Sequence, residues 1–441
     1  MAQASNALFR ALYRIRHSIA FYPTVIAAAY LVASGLVIAF EATPLASRLR
    51  DDLPSGLTDA DNAREILGTL ITSIVSLMVF SFSMVMVVLN GAATRLSPRV
   101  LPGLISDLRN RVILGVYLGS ILYYLSQIIL INKNDPQSIP TLGMLLAVLF
   151  AAVCLILFVV FIRSVSQSIQ VDWNVNRLHQ EALKQLEARK KRLRQAPPVP
   201  DDSQWPCLVA QRPGYLRNVN EKRLGELLGK RDRVATLQVE PGFFLIEGHP
   251  LIKLSGELSE REAQEVQDCM DFSNDEYASS NAAYGMRQMS EIAVKAISPA
   301  VNDPGTAIRT LNLIGVLLGR MMGVPPYDVG CFDNGKPRLF YRQLPIHRVL
   351  TAVTSPIRNY GRGDPQVIIA LLQCLENAIR FDPSPDQLDA LWEEAHAVRD
   401  EADDCVNNCR DRSAINDLIE RLNALDLPTP RLRPLPPHPG D

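Results

Sequence analysis

Residues Ile66–Thr94 read ILGTLITSIVSLMVFSFSMVMVVLNGAAT and carry no charged side chain. As a helix this stretch is longer than the hydrocarbon core of a bilayer, about 30 Å, requires. Its two faces differ. At about 100° per residue, Thr69, Thr72, Ser73, Ser76, Phe80, Ser83, Val87, Asn90 and Thr94 fall on one arc. Ile71, Ile74, Met78, Phe82, Val85 and Leu89 face the other way, which suits lipid. A hydroxyl or amide in hydrocarbon would lack a partner, so the polar arc is expected to face protein or water. Two readings follow. Small polar residues pack helices closely, or hydroxyls line a water-filled conduit.

Three further apolar runs satisfy the same length criterion, at 18–40, 112–131 and 142–162, alongside 66–89. The first is too long and too poorly bounded for a cleaved signal peptide. Arg10, Arg14 and Arg16 precede it. Arg95, Arg99, Arg109 and Arg111 occupy the second loop, and Arg163, Arg177 and the run Arg189-Lys190-Lys191-Arg192-Leu193-Arg194 follow the fourth span. The first loop is acidic, with Glu41, Asp51, Asp52, Asp59, Asp61 and Glu65. By the positive-inside rule both termini are expected in the cytoplasm. No Asp, Glu, Lys or Arg falls inside a span, which argues against a proton-coupled carrier. A passive pore, a sensor or an anchor remains.

The 441 residues carry a net charge of −1, so no basic field points to nucleic acid. Seven cysteines lie in a span or after it, which fits reduced thiols. Cys405 and Cys409 lack a histidine pair at ligand spacing, so no metal and no cofactor is expected. His249, His347 and His396 are scattered, and no nucleophile–base constellation suggests an enzyme.

The fold class expected is a four-helix membrane domain over 1–162 followed by a cytoplasmic α+β portion. That portion divides into a neck helix at 163–195, a Pro-rich linker at 196–206, a small β-rich module at 207–256, a helical region at 257–425 and a disordered Pro-rich tail at 426–441. The neck carries a seam of Val171, Val175, Leu178, Ala182, Leu186 and Leu193 suited to packing on partners. Strands are expected near 208–210, 215–219, 234–239, 243–246 and 251–254, with turns at Pro241-Gly242 and Gly248-His249-Pro250. Their spacing resembles that of barrel-sandwich modules such as lipoyl domains. No lysine sits at 240–243 to be modified, so the module reads as structural.

Two short motifs attract a functional reading. Arg95, Ser97, Pro98 and Arg99 mark a turn at the membrane surface, either an orientation signal with a helix stop or a lipid-headgroup or anion site. In Ile297–Ala307, Asp303 caps a helix with Pro304 at its first position. The same corner could supply oxygens from Asn302, Asp303 and Thr306 to a cation or polar metabolite, with Arg287 and Arg309 on the flanking helices.

Phe80-Ser81-Phe82-Ser83, Ser97-Pro98-Arg99 and Ala296-Ile297-Ser298-Pro299-Ala300-Val301-Asn302-Asp303-Pro304-Gly305-Thr306-Ala307 together match an "FS" span, an "SPR" turn and an "ALSP-x-x-NDP-x-TA" corner. In these the chain resembles a family of bacterial membrane proteins of unknown function, from about residue 15 to 375. Gly214-Tyr215 and Arg287-Gln288 also match. Ala282-Ala283-Tyr284-Gly285 departs from it by lacking a Phe before the Gly. The resemblance implies four spans in a bacterial inner membrane and a cytoplasmic domain, with no activity attached. The function expected is a homo-oligomeric conduit for ions or small solutes, gated from the cytoplasm. The other expectation is a membrane-anchored sensor or scaffold that binds a cytoplasmic protein or small-molecule ligand.

Overall fold

The computed structural model describes residues 20–41, 43, 60–95, 108–131, 140–194, 197–274, 281–333, 336–425 and 427–437. These form two compact units that change over between Gln170 and Val171.

The first unit holds α1 (Phe21–Glu41), α2 (Ala60–Arg95), α3 (Leu108–Leu130) and α4 (Thr141–Ile169). All four are long and apolar enough to cross a bilayer. The helix of α2 continues past its apolar run at both ends, through Asp61, Arg64 and Glu65 at its start and as far as Arg95 at its end. The tightest seam joins α1 to α3 through Gly115 and Gly119, one turn apart on one face. A β-carbon at Gly115 would stand 2.9 Å from Ile26 Cδ1 and 3.0 Å from Pro23 Cα, and one at Gly119 2.8 Å from the Tyr30 ring. This is the small-x-x-x-small contact by which helices associate where lipid removes any hydrophobic drive.

Polar groups inside the unit act as fasteners. Gln127 Nε2 donates to Ser34 Oγ at 2.9 Å, and Ser34 and Ser126 share a hydrogen bond at 2.5 Å. The Tyr123 and Tyr124 hydroxyls donate to the carbonyls of Gly143 and Ala147, each at 3.1 Å. The amide of Gly143 donates to Glu41 Oε1 at 2.9 Å. Each bond joins two different helices, so α1 and α4 are both tied to the polar side of α3 or to each other.

The second unit opens with α5 (Val171–Leu193). Residues 163–195 were expected as one neck helix, but the backbone is extended at Gln170 (φ −73°, ψ 119°), which ends α4. The apolar seam of α5 is also used within the chain. Val175, Leu178, Ala182 and Leu186 are buried, and Gly285 on the next long helix lies against Ala182.

A five-stranded sheet runs β1 (Cys207–Val209), β5 (Pro250–Leu254), β3 (Ala235–Leu237), β10 (Leu339–Arg342), β7 (Tyr327–Val329). All neighbours are antiparallel except β3 and β10, which pair in parallel with Ala235 opposite Leu339. A second sheet runs β4 (Phe244–Leu245), β2 (Gly214–Val219), β6 (Met270–Ser273), and β8 (Phe332–Asp333) pairs with β9 (Lys336–Pro337). The five expected strands therefore exist, but 207–256 is not closed on itself: β6, β7 and β10 complete its sheets. A parallel β3–β10 pair also departs from a lipoyl-like sandwich of hairpins. α6 (Glu221–Gly229) and α7 (Glu260–Gln267) cover a core of Leu216, Leu224, Leu237, Leu245, Ile252 and Leu339.

The rest is helical: α8 (Ala282–Ala296), α9 (Pro304–Met321), α10 (Ile346–Val353), α11 (Ser355–Gly361), α12 (Pro365–Ile379), α13 (Pro385–Cys405) and α14 (Cys409–Asn423). Starts follow their signals. Ser384 and Gln387 form a capping box, and Asp364 accepts from the amides of Gln366 and Val367 ahead of Pro365. At the centre, Gly315 of α9 lets the Cys374 backbone of α12 approach, 3.3 Å from where a β-carbon would sit.

The Pro-rich end, expected to be disordered over 426–441, is laid along α13 and α14 as far as it is described, to residue 437. Leu432 and Leu435 are 1% and 4% exposed. Asn423 both accepts from the Leu432 amide and donates to its carbonyl, each at 2.9 Å, and Asn416 does the same for Leu435, at 2.7 and 3.1 Å. Trp392 Nε1 donates to the Pro430 carbonyl at 2.6 Å. Composition alone suggested a solvated chain; side chains that satisfy its backbone make it an ordered strap.

One buried histidine gives the second unit a pH dependence. Burial holds the His179 imidazole on α5 below its ordinary 6.5, against a hydrogen bond to the Leu313 backbone that raises it. The unfolded chain therefore takes up this proton first as pH falls. The stabilisation is present above 6.5 and is lost as pH falls below it. The drop in thermal midpoint of this unit between about pH 7.5 and about pH 5.5 is expected to shrink in His179→Leu. An unchanged drop would mean that other groups carry it.

Candidate functional site

On α2 the sides are reversed from those expected. Ile74 is 2% exposed and packs inside the unit with Leu67 and Val88, while Ile71, Met78 and Val85 lie against the same core. Phe82 alone of the expected lipid face whose side chain is described stays outward, 64% exposed. The side chain of Leu89 is outside the described residues. Thr69, Thr72, Ser73, Ser76, Ser83 and Asn90 are all exposed on the surface of the single chain's bundle. The reason is local. Thr72 Oγ1 donates to the Gly68 carbonyl at 2.9 Å, Ser73 Oγ to Thr69 at 2.8 Å and Ser76 Oγ to Thr72 at 2.8 Å. A hydroxyl bonded four residues back is already satisfied, so nothing forces it inward. Of the Phe80–Ser83 motif, Ser81 is the residue turned into the core, 6% exposed.

The surface turn is outside the described residues at Ser97, Pro98 and Arg99, and Arg95 is described only as the last residue of α2.

The 302–306 corner is a capped helix start. Asp303 Oδ1 accepts from the Thr306 amide at 3.2 Å, and the Thr306 hydroxyl donates to Asp303 Oδ2 at 2.6 Å. Asn302 sits at φ 50°, a left-handed position that asparagine tolerates. Arg309 pairs with Asp172 of α5 at 2.9 Å. Arg287 lies some two and a half turns before the end of α8 and lines a different feature. The five candidate residues are thus not gathered in one place. Among the described residues no group of three metal-ligating side chains occurs.

That other feature is a cleft of about 570 Å³ within the second unit. Its walls come from four separated segments: Gln238–Phe243 after β3, His249 before β5, Asn281–Arg287 at the start of α8, and Arg342–Val353 from β10 into α10. Glu240, 8% exposed, joins three of them. One of its oxygens accepts from the Leu344 amide and the other from Asn281 Nδ2 at 2.5 Å. Burial pushes its carboxyl above the usual range, opposed by these two bonds and by Arg189. Asn281 in turn caps α8 by accepting from the Ala283 amide at 2.8 Å. Arg189 of α5 donates to the carbonyls of Pro325 and Tyr327, anchoring the β7 edge.

The rim is cationic. Arg287 lies 3.8 Å from Glu291, and Arg342 lies 2.6 Å from the buried Asp202. Arg348 is exposed and makes no ion pair among the described residues. His347 is exposed beside it, and Phe243 presents a half-exposed ring 5.7 Å from that of His249. Sequence reading reached Arg287, His249 and His347 singly. It missed their convergence, for which the only local signals were Glu240-Pro241-Gly242 and Leu344-Pro345.

Comparison with known proteins agrees with a membrane protein whose activity is open. Uncharacterized proteins of Mycobacterium bovis and Mycobacterium tuberculosis are each 25% identical to this chain over 348 residues, covering 73% of it. The chain covers 65% of the length of those relatives. No solved structure matches it. Residues 16–377 match the family model described as "Predicted membrane protein (DUF2254)", and the chain belongs to that family.

Proposed function

We propose that the protein is a homo-oligomeric conduit for ions or small solutes in the bacterial inner membrane. In this reading α2 from several copies lines the path, both termini are cytoplasmic, and the second unit gates it. The observation that carries the reading is the hydroxyl face of α2, turned away from the chain's own bundle and free of charge over Ile66–Thr94. Such a face can meet its equivalent only on another copy. Because the Thr72, Ser73 and Ser76 protons are spent on their own helix, the oxygen lone pairs point outward. An acceptor-rich lining favours water and cations over anions.

Ser76→Leu combined with Ser83→Leu is expected to lower ion flux in reconstituted liposomes at least about tenfold while leaving the protein folded, by replacing polar lining with a dewetting constriction. Equal flux from both proteins would remove the lining assignment. A second reading, a membrane-anchored ligand sensor, is favoured by the cleft in the second unit. It expects no flux from either protein under any voltage or osmotic gradient.

A further inference from the structure

The cleft in the second unit carries an inference that stands whether the chain conducts or only senses. Its size, about 570 Å³, suits a small molecule and not a single ion. Arg287, Arg342 and Arg348 line it, and His249 and His347 add two imidazoles. The acid among the lining residues is Glu240, whose two oxygens are occupied by Leu344 and Asn281. The carboxylates that partner Arg287 and Arg342 lie outside the lining, and Arg348 has none among the described residues. Among the lining residues guanidinium groups outnumber carboxylates three to one, and Arg348 has no ion pair among the described residues, so the cleft offers fork-shaped donors that match phosphate oxygens. It also offers apolar and aromatic surface in Phe243 and Tyr284, with Val349 and Val353 behind them. Guanidinium groups beside flat apolar walls fit a ligand with a phosphate at one end and a ring at the other.

We propose that this cleft binds a phosphorylated small molecule bearing a flat ring, a nucleoside phosphate in its simplest form. Arg287 and Arg348 hold the phosphate, and Phe243 and Tyr284 pack the ring. The Glu240–Asn281–Leu344 bridge ties three of the walls together, with one carboxylate oxygen held by the Leu344 amide and the other by Asn281.

The test uses the full chain in detergent micelles, with ADP, inorganic pyrophosphate and adenosine titrated by calorimetry. ADP is expected to bind, adenosine to bind at least about tenfold more weakly, and ADP affinity to fall as salt rises. Arg287→Glu with Arg348→Glu is expected to weaken ADP at least about tenfold, the loss of two charge-assisted contacts. Both side chains are at the rim, so the fold is retained, checked by an unchanged thermal midpoint. Phe243→Ala is expected to weaken ADP and leave pyrophosphate unchanged. ADP that fails to bind, or binds the double variant equally well, overturns the proposal. Short-chain phosphatidylglycerol that binds in place of ADP overturns the nucleoside assignment and moves the same donors to a lipid headgroup. Flux measurements are not involved, so this outcome is separate from that of the conduit reading.

Discussion

Gly119→Leu is expected to unseat α1 from α3 and to destabilise the membrane unit by at least about 3 kcal/mol, the upper part of the usual range for overpacking. A β-carbon there already falls 2.8 Å from the Tyr30 ring, and leucine adds three further carbons in the same direction. The two helices must separate along their length. That separation also opens the Ser34–Ser126 and Ser34–Gln127 bonds, which lie further along the same seam. Lipid offers no hydrophobic force to hold the pair once backbone contact is lost. Gly35→Leu is the control. It lies on α1 with nothing within 4 Å of a β-carbon, so it adds bulk to the same helix without a clash. Unfolding of both variants in mixed micelles should show a large loss for the first and little change for the second. Equal behaviour would mean that the glycine seam does not hold the unit together.

Asn416→Ala with Asn423→Ala is expected to release the C-terminal strap. The two asparagines are two helical turns apart, about 10.5 Å, and Leu432 and Leu435 are three residues apart in extended chain, about 9.3 Å. The spacings match, so each asparagine meets one backbone unit and serves it as donor and acceptor. Removing four such bonds costs about 3–4 kcal/mol in sum, a shift of two to three orders of magnitude in the docking equilibrium. Limited proteolysis after Leu427 should accelerate by about that factor where cleavage follows the open population. An unchanged cleavage rate would show that burial of Leu432 and Leu435, with the bonds from Trp392, Arg399 and Arg412 to strap carbonyls, holds the strap without the asparagines.

The sequence carried the spans, the helix caps and the first five strands because each rests on local pattern: length of apolar run, residue type at a cap, alternation between turns. What it withheld was partnership. The apolar run at Leu339–Arg342 gives no sign that it pairs in parallel with Ala235–Leu237 about a hundred residues earlier. A proline-rich tail has the composition of a solvated chain, and its backbone partners on α13 and α14 lie too far back in the sequence to signal otherwise. The faces of α2 were assigned on the premise that a serine in lipid is unsatisfied, yet Ser73 and Ser76 satisfy themselves. The cleft was illegible for the same reason as β10, since its walls meet only after the sheet closes.

The bonds that free those hydroxyls from the bundle also alter the mechanics of the helix that bears them. Thr72, Ser73 and Ser76 each share a carbonyl already engaged by the backbone, and the three acceptors, on Gly68, Thr69 and Thr72, sit within five residues. Shared carbonyls weaken the backbone ladder on their own side and ease bending there. Span two is therefore stiff on the face that carries Ile74 and compliant on the face that bears the hydroxyls. A lateral push is absorbed as curvature about this one stretch, while the apolar contacts behind it stay in place.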